Sequence, residues 1–342
     1  MRDSNRRRWT HPETILVATD LSDLDHLMPF ALEEAADTGA HTDRSSSVGW
    51  DTGAPTDRSS SVGWDTGARL ILLHVLSTAS AFTADAAGMP YFDTTGAREI
   101  AEQMMHPWCE VAARLGIRCD SLVREGHATQ QIAAAVRQVH ADRVLLGTRS
   151  RGKLGRLLIG SVAEQLLRSV YLPVITVGPE AHLPVDIGDE RVVLHATTLR
   201  EASRPSAVLA CQLAAAQKAK LILLHVLPPI SEMERKGLPT GMHSSAMLEL
   251  RILAAQTGAN CCSVIEPVVA HGNPSIEILA LAAERRAGLI MLGVARRSVL
   301  EDLTRDCTVH RVLGHARCPV LTLREPQAMP EETHALAASA HR

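Results

Sequence analysis

Aromatic side chains are scarce in this 342-residue chain, which has three Phe, two Tyr and four Trp. Proteins that hold single-stranded nucleic acid stack bases on such rings, so that class of function is disfavoured. A positive excess is also missing. The 35 Lys and Arg are outnumbered by 38 Asp and Glu, for a formal net charge of −3, whereas duplex binders carry a strongly basic face. No apolar run approaches the ~18 residues that a membrane span needs. No CxxC pair occurs among the seven cysteines, at 109, 119, 211, 261, 262, 307 and 318. Adjacent Cys261 and Cys262 make a poor metal clamp, so the expectation is reduced, buried thiols in a cytoplasmic protein. The basic start, Met1 to Arg8, has no apolar segment behind it, so a secretory signal is not expected. What the chain does have is small and branched aliphatics, which suit a parallel sheet covered on both faces.

Repetition occurs on two scales. The segment Thr42 to Ala54 recurs identically as Thr56 to Ala68, with Pro55 between them. Removing 41–68 joins Ala40 to Arg69 and leaves a continuous helix, turn and strand. This reads as an in-frame expansion at a loop tip, where added residues cost little entropy. The longer repeat spans half the chain. Leu70 to Leu76 (LILLHVL) returns as Leu221 to Leu227, and Leu172 to Val177 (LPVITV) is echoed by Cys318 to Leu323. Gly147 to Val177 aligns with Gly293 to Leu323 without a gap. The reading is a basic tail at 1–12, a first domain at 13–178 interrupted at 41–68, and a Pro/Gly/acid linker at 179–190. A second copy follows at 191–325, with a tail at 326–342.

Each copy alternates strands and helices. In the first, strands are expected at Thr14–Thr19, Arg69–Leu76, Ile117–Arg124, Arg143–Leu146 and Val174–Val177. Helices are expected after Ser22 or Asp23, either of which could cap, and over about 97–115, 129–140 and 162–169. Strand–helix alternation with continuous apolar strands predicts an α/β fold, a mainly parallel sheet with helices on both faces. Ligands of such sheets lie beyond the carboxyl ends of the strands. That edge would carry Asp20, Val75 and the loop after Gly147.

The loop Gly147 to Val162 holds four glycines and the basic residues Arg149, Arg151, Lys153 and Arg156. It leaves a strand, and Gly160-Ser161 opens a helix. Glycines let a backbone approach an anion, and a helix N-terminus offers free N–H groups with a positive dipole. It is neither GxxxxGK followed by Ser or Thr, nor GxGxxG.

At these residues the chain resembles the universal stress protein family. The family's nucleotide binders carry Gly, two residues, Gly, nine residues, then Gly-Ser or Gly-Thr. Gly147 and Gly160-Ser161 match that spacing, while Ser150 stands at the middle glycine. The segments ILVATDLS (15–22), LLHV (72–75), GSVAEQLL (160–167) and LPVITV extend the likeness, which is strong over 13–178 and weaker over 191–325. It implies two Rossmann-like domains of the adenine nucleotide α-hydrolase type, each with a mainly parallel five-stranded sheet. It also implies ATP as ligand, alone or with Mg²⁺. Ala18, Thr19, Asp20, Val75 and Leu146 would line the nucleoside side. Gly147, Arg149, Gly160, Ser161 and Val162 would face the phosphates.

The second copy departs at each point. Asp20 aligns with Thr198, and Gly160-Ser161 with Asp306-Cys307. Asp306 would repel a phosphate yet still cap the helix. Only the first copy is therefore expected to bind nucleotide. His74 and His225, at matching strand positions, read as core histidines with satisfied hydrogen bonds. No general base or carboxylate pair stands beside the loop, so a stress-response or signalling protein is favoured over an enzyme. Two other readings stay open: an interaction protein of the same fold without nucleotide, and a slow ATP hydrolase. The last strands, Val174–Val177 and Val320–Leu323, are expected to pair within the chain as a pseudo-dimer. A further homodimer is left open, and neither nucleic acid nor membrane is expected as a partner.

Overall fold

The computed structural model describes residues 8–37, 67–77, 94–148, 160–183, 190–235, 241–258, 264–294 and 307–325, with backbone alone at 82–84, 90–92, 234 and 235. The repeat-bearing insertion at 41–66 and the tails at 1–7 and 326–342 lie outside these residues. So do Arg149, Ser150, residues 184–189 of the linker, and Asp306.

The first half runs β1 (Thr14–Thr19), α1 (Leu24–Asp37), β2 (Arg69–Leu76), β3 (Phe82–Ala84), β4 (Pro90–Phe92), α2 (Thr94–Arg114), β5 (Cys119–Glu125), α3 (Ala128–Gln138), β6 (Arg143–Gly147), α4 (Ser161–Ser169) and β7 (Val174–Val177). The second half opens with β8 (Val192–Ala196) and a 3-10 turn at Glu201–Ser203. It continues with α5 (Arg204–Ala216), β9 (Lys220–Leu227), α6 (Ile230–Arg235), α7 (Met242–Gly258) and β10 (Ile265–His271). The chain then forms α8 (Pro274–Glu284), β11 (Leu289–Val294), α9 (Thr308–His315) and β12 (Val320–Arg324). The short antiparallel hairpin β3–β4 has no counterpart in the sequence reading. Strand β5 starts at Cys119 rather than at Ile117, because the turn after α2 continues through Gly116, whose φ is +76°.

All strands except the hairpin join one sheet in the order β10-β9-β8-β11-β12-β7-β6-β1-β2-β5. Within each half every pairing is parallel. Both halves therefore have the same order, with the chain reversing direction across the sheet between their first and fourth strands. Apolar side chains fill both faces: Ile15, Val17, Leu70 and Leu72 lie in one buried layer, and Leu16, Ile71, Leu73 and Val144 in the other. Continuous apolar runs such as LILLHVL are what burial on both faces demands.

The halves meet through β7 and β12, which pair antiparallel with Val320 opposite Thr176, Leu321 opposite Ile175 and Thr322 opposite Val174. Two buried threonines reinforce this seam. Thr176 Oγ1 donates to the Val320 carbonyl at 3.1 Å, and Thr322 Oγ1 donates to the Val174 carbonyl at 3.2 Å. Pairing hides two strand edges that would otherwise be open.

The cysteines depart from the expectation of reduced, buried thiols in two ways. Cys211, fully buried in α5, is disulfide-bonded, and of the cysteines outside disulfides Cys318 is buried but Cys109, Cys119 and Cys307 are only partly so.

Candidate functional site

In the first half the reversal of strand order falls between β1 and β6, and the crevice beyond that point is where α/β sheets hold ligands. Parallel register sets Ala18 beside Leu146 and Thr19 beside His74. The carboxyl ends of β2, β1 and β6 thus bring Val75, Asp20 and Gly147 to one edge. Ala18 and Leu146 belong to one apolar layer, and Val75 and Val162 pack against it. These four, from three strands and the start of α4, form an apolar wall at that edge.

The turn after β1 is held by its own hydroxyls. Leu21 has a left-handed backbone (φ +72°), and its N–H donates to Thr19 Oγ1 at 2.9 Å. Thr19 Oγ1 in turn donates to Asp23 Oδ1 at 2.7 Å. The Asp20 carboxylate accepts from the Ser22 N–H at 2.9 Å and the Ser22 hydroxyl at 2.6 Å. This closes an Asx-type turn and leaves Asp20 partly exposed rather than capping α1. Asp23 occupies the residue before α1, and its backbone carbonyl accepts from the Leu27 N–H at 2.8 Å. His74 Nδ1 lies 3.0 Å from the Thr19 carbonyl oxygen, so this core histidine is hydrogen-bonded.

The two motif glycines differ in kind. A Cβ on Gly147 would overlap Oδ2 of buried Asp23 and lie 3.3 Å from its Cγ. Gly147 therefore has a packing reason that needs no ligand. Burial holds the Asp23 carboxyl above the usual aspartate range, against the lowering effect of the Thr19 hydrogen bond. A Cβ on Gly160, by contrast, would meet none of the described residues within 4 Å. Its φ of −61° and ψ of 145° suit any residue. Gly160 stands at the N-cap of α4 and, having no side chain, makes no cap hydrogen bond of its own. Ser161 is the first helical residue and is exposed. The cap of α4 is thus Gly160, not Ser161. Asp23 was not among the expected site residues. Its sign was the Thr-x-x-x-Asp spacing just ahead of the helix.

The second half repeats the scaffold. Leu199 is left-handed (φ +60°), its N–H donates to Thr197 Oγ1 at 3.2 Å, and His225 Nδ1 lies 2.9 Å from the Thr197 carbonyl oxygen. The contents of the edge differ. Thr198 replaces the carboxylate of Asp20. A Cβ on Gly293 would overlap Oε1 of Glu325 and come within 2.7 Å of Ser206 Oγ. Buried Glu325 accepts from Ser206 Oγ at 2.9 Å, and burial raises its carboxyl above the usual range. Gly293 is thus kept by packing. The cap of α9 is Cys307, whose Sγ accepts from the His310 N–H at 3.5 Å, so the expectation of Asp306 as cap is corrected.

Two α/β copies with matching turn devices, fused through their last strands, define a tandem Rossmann-like protein. The universal stress protein family model matches residues 63–178 and 191–324, and the chain belongs to that family as a tandem member. The first match begins at 63, although β1 pairs with β2 and β6 in the same sheet. A Thermus aquaticus relative, "Universal stress protein in QAH/OAS sulfhydrylase 3'region", is 30% identical over 111 residues, 32% of this chain and 77% of the relative. A solved universal stress protein from Archaeoglobus fulgidus is similar in fold, with TM-score 0.63 and 18% identity over 93% of this chain and 98% of that one. A functionally unknown protein from Pseudomonas aeruginosa has TM-score 0.57 and 14% identity over 93% of this chain and 95% of its own. Family membership supports a role in stress response. Among the described residues no helix is long and apolar enough to cross a membrane.

Proposed function

We propose that the chain is an ATP-binding stress-response protein whose first domain alone holds the nucleotide. The observation that carries this reading is Gly160. Among the described residues neither conformation nor packing requires a glycine there, and Ser, Asp or Asn would cap the helix better. An open helix N-terminus beside a glycine motif is suited to phosphate. The apolar wall of Ala18, Val75, Leu146 and Val162 fits a flat adenine, and partly exposed Asp20 can accept hydrogen bonds from a ribose. Thr19 holds the turn that presents Asp20. Gly147, Gly160 and Ser161 would offer backbone N–H groups and a hydroxyl to phosphates. Arg149, outside the described residues, would add positive charge, and Mg²⁺ would accompany the phosphates if bound.

Two features favour a structural role for the second domain: Cys307 fills its helix cap, and Thr198 lacks a carboxylate. We take 13–178 and 191–325 as the domains, joined by 179–190, with the β7–β12 seam as an internal pseudo-dimer contact. Among the described residues nothing at the site resembles a base poised for fast hydrolysis, and signalling by occupancy is the proposed mode. Protein purified without added nucleotide, then denatured and separated by chromatography, tests this. Retained ATP or ADP in wild type that is lost in Gly160→Asp supports the reading. Absence of nucleotide, with no binding up to millimolar ATP, overturns it.

A further inference from the structure

Cys109 lies in α2 and Cys119 opens β5, and their sulfurs are 3.2 Å apart. Both are free and partly exposed. The contact is framed by the packing of α2 along β5. At the other end of the helix, Arg98 donates to the Val123 carbonyl and to Glu125 Oε1, each at 2.9 Å. Helix and strand are thus fixed at both ends, and the sulfurs meet as part of the packed arrangement. The chain between them makes a tight turn through Gly116.

The pair belongs to the first half only. Register places Ile265 where Cys119 stands, since Leu70 faces Cys119 and Leu221 faces Ile265. Aligning the buried faces of α2 (Ala101, Met105, Ala112) and α7 (Ala246, Leu250, Thr257) puts Ala254 at the place of Cys109. Apolar residues serve the second copy at both positions, so the fold itself does not need thiols there.

We propose that Cys109 and Cys119 form a peroxide-responsive dithiol, oxidised by hydroperoxides to a disulfide that clamps α2 to the edge strand β5. The Cys109 thiolate attacks one oxygen of the hydroperoxide and the O–O bond breaks. This gives a sulfenic acid on Cys109 and, after protonation, an alcohol or water. The Cys119 sulfur then attacks the Cys109 sulfur, the S–O bond breaks, and hydroxide leaves with the thiol proton as water. Two thiols lose two electrons, and the hydroperoxide gains them. Either sulfur can donate across the 3.2 Å contact; with Cys119 as the donor, the bond lowers the Cys109 thiol below its ordinary range and raises that of Cys119. The more acidic thiol supplies the attacking thiolate.

The test uses the full chain, reduced with a mild thiol, desalted and exposed to hydrogen peroxide. Free thiols are then blocked, and the digest is mapped by mass spectrometry. A cross-linked pair of peptides carrying Cys109 and Cys119, reversed by reductant, is expected. So is a rise of about 5 °C in thermal midpoint that Cys109→Ala lacks. In Cys119→Ala a dimedone-trappable sulfenic acid on Cys109 is expected. Both thiols still blocked by alkylation in peroxide-treated wild type, or oxidation confined to other cysteines, overturns the proposal. The wild-type map decides even if a variant fails to fold.

Discussion

The carboxylate of Asp23 lies against the α-carbon of Gly147, so closely that a β-carbon at 147 would overlap it. In the second half the carboxylate of Glu325 holds the same relation to Gly293, though it comes from the opposite direction along the chain. A glycine at the end of the fourth strand is therefore a packing requirement of both copies. Ligand binding has to be argued from other residues.

Gly147→Ala is expected to destabilise the protein by about 1–3 kcal/mol, because the added methyl displaces a buried, hydrogen-bonded carboxylate. Gly160→Ser should change stability by no more than about 0.5 kcal/mol, since Gly and Ser caps differ by a few tenths. Urea unfolding of both variants beside wild type checks the contrast. Equal costs would remove the distinction between the two glycines.

The β7–β12 seam is expected to contribute modestly through its threonines and strongly through its core. Thr176→Val and Thr322→Val should each cost about 1 kcal/mol, the usual net worth of a hydrogen bond. Leu321 is fully buried at the seam, and Leu321→Asp should cost more than about 4 kcal/mol by burying an unpaired charge. Denaturant midpoints measure all three.

His195 gives the second half a pH dependence. It is fully buried on β8, its Nδ1 is 3.0 Å from the Met291 carbonyl oxygen, and its Nε2 has no partner. Burial lowers its pKa to about 4 from an ordinary 6.5, with the Met291 hydrogen bond acting weakly the other way. Between those values the unfolded chain binds a proton that the folded chain does not, so stability falls as pH drops from 6.5 towards 4. The loss approaches ~3 kcal/mol at the lower end. His195→Asn can keep a hydrogen bond to the Met291 carbonyl and does not titrate. Wild type should lose stability relative to this variant across that window when both are unfolded in urea at stepped pH. Parallel pH profiles would contradict the assignment.

Much of this was legible in the sequence because repetition is a strong signal. LILLHVL and its second copy located β2 and β9, and the gapless match of 147–177 to 293–323 foretold two equivalent halves. The seam could be anticipated because two identical edges in one chain are best hidden against each other. Other features depended on contacts between distant residues. Glu325 lies beyond the last repeat motif, so nothing local marked it as the group that fills the second edge. The cap of α9 moved to Cys307 because its helix starts one residue later than alignment with α4 implies. Cys109 and Cys119 sit ten residues apart without a metal-ligand spacing, and only the antiparallel run of α2 over β5 joins them. Gly147 fitted a binding motif so well that its packing role was hidden.

Asp20→Ala is expected to leave stability within about 0.5 kcal/mol of wild type, since Asp20 is partly exposed. It should weaken nucleotide binding by about 10-fold or more, the worth of a hydrogen bond to a charged group. Chemical unfolding and equilibrium binding measured on the same preparation separate the two effects.

The central claim, that one half of this tandem protein holds nucleotide and the other does not, is tested most directly by calorimetric titration of ATP into the full chain. The expected result is one nucleotide per chain, abolished by Gly160→Asp and unaffected by Glu325→Gln. Two nucleotides per chain, or no binding up to millimolar ATP, would contradict it.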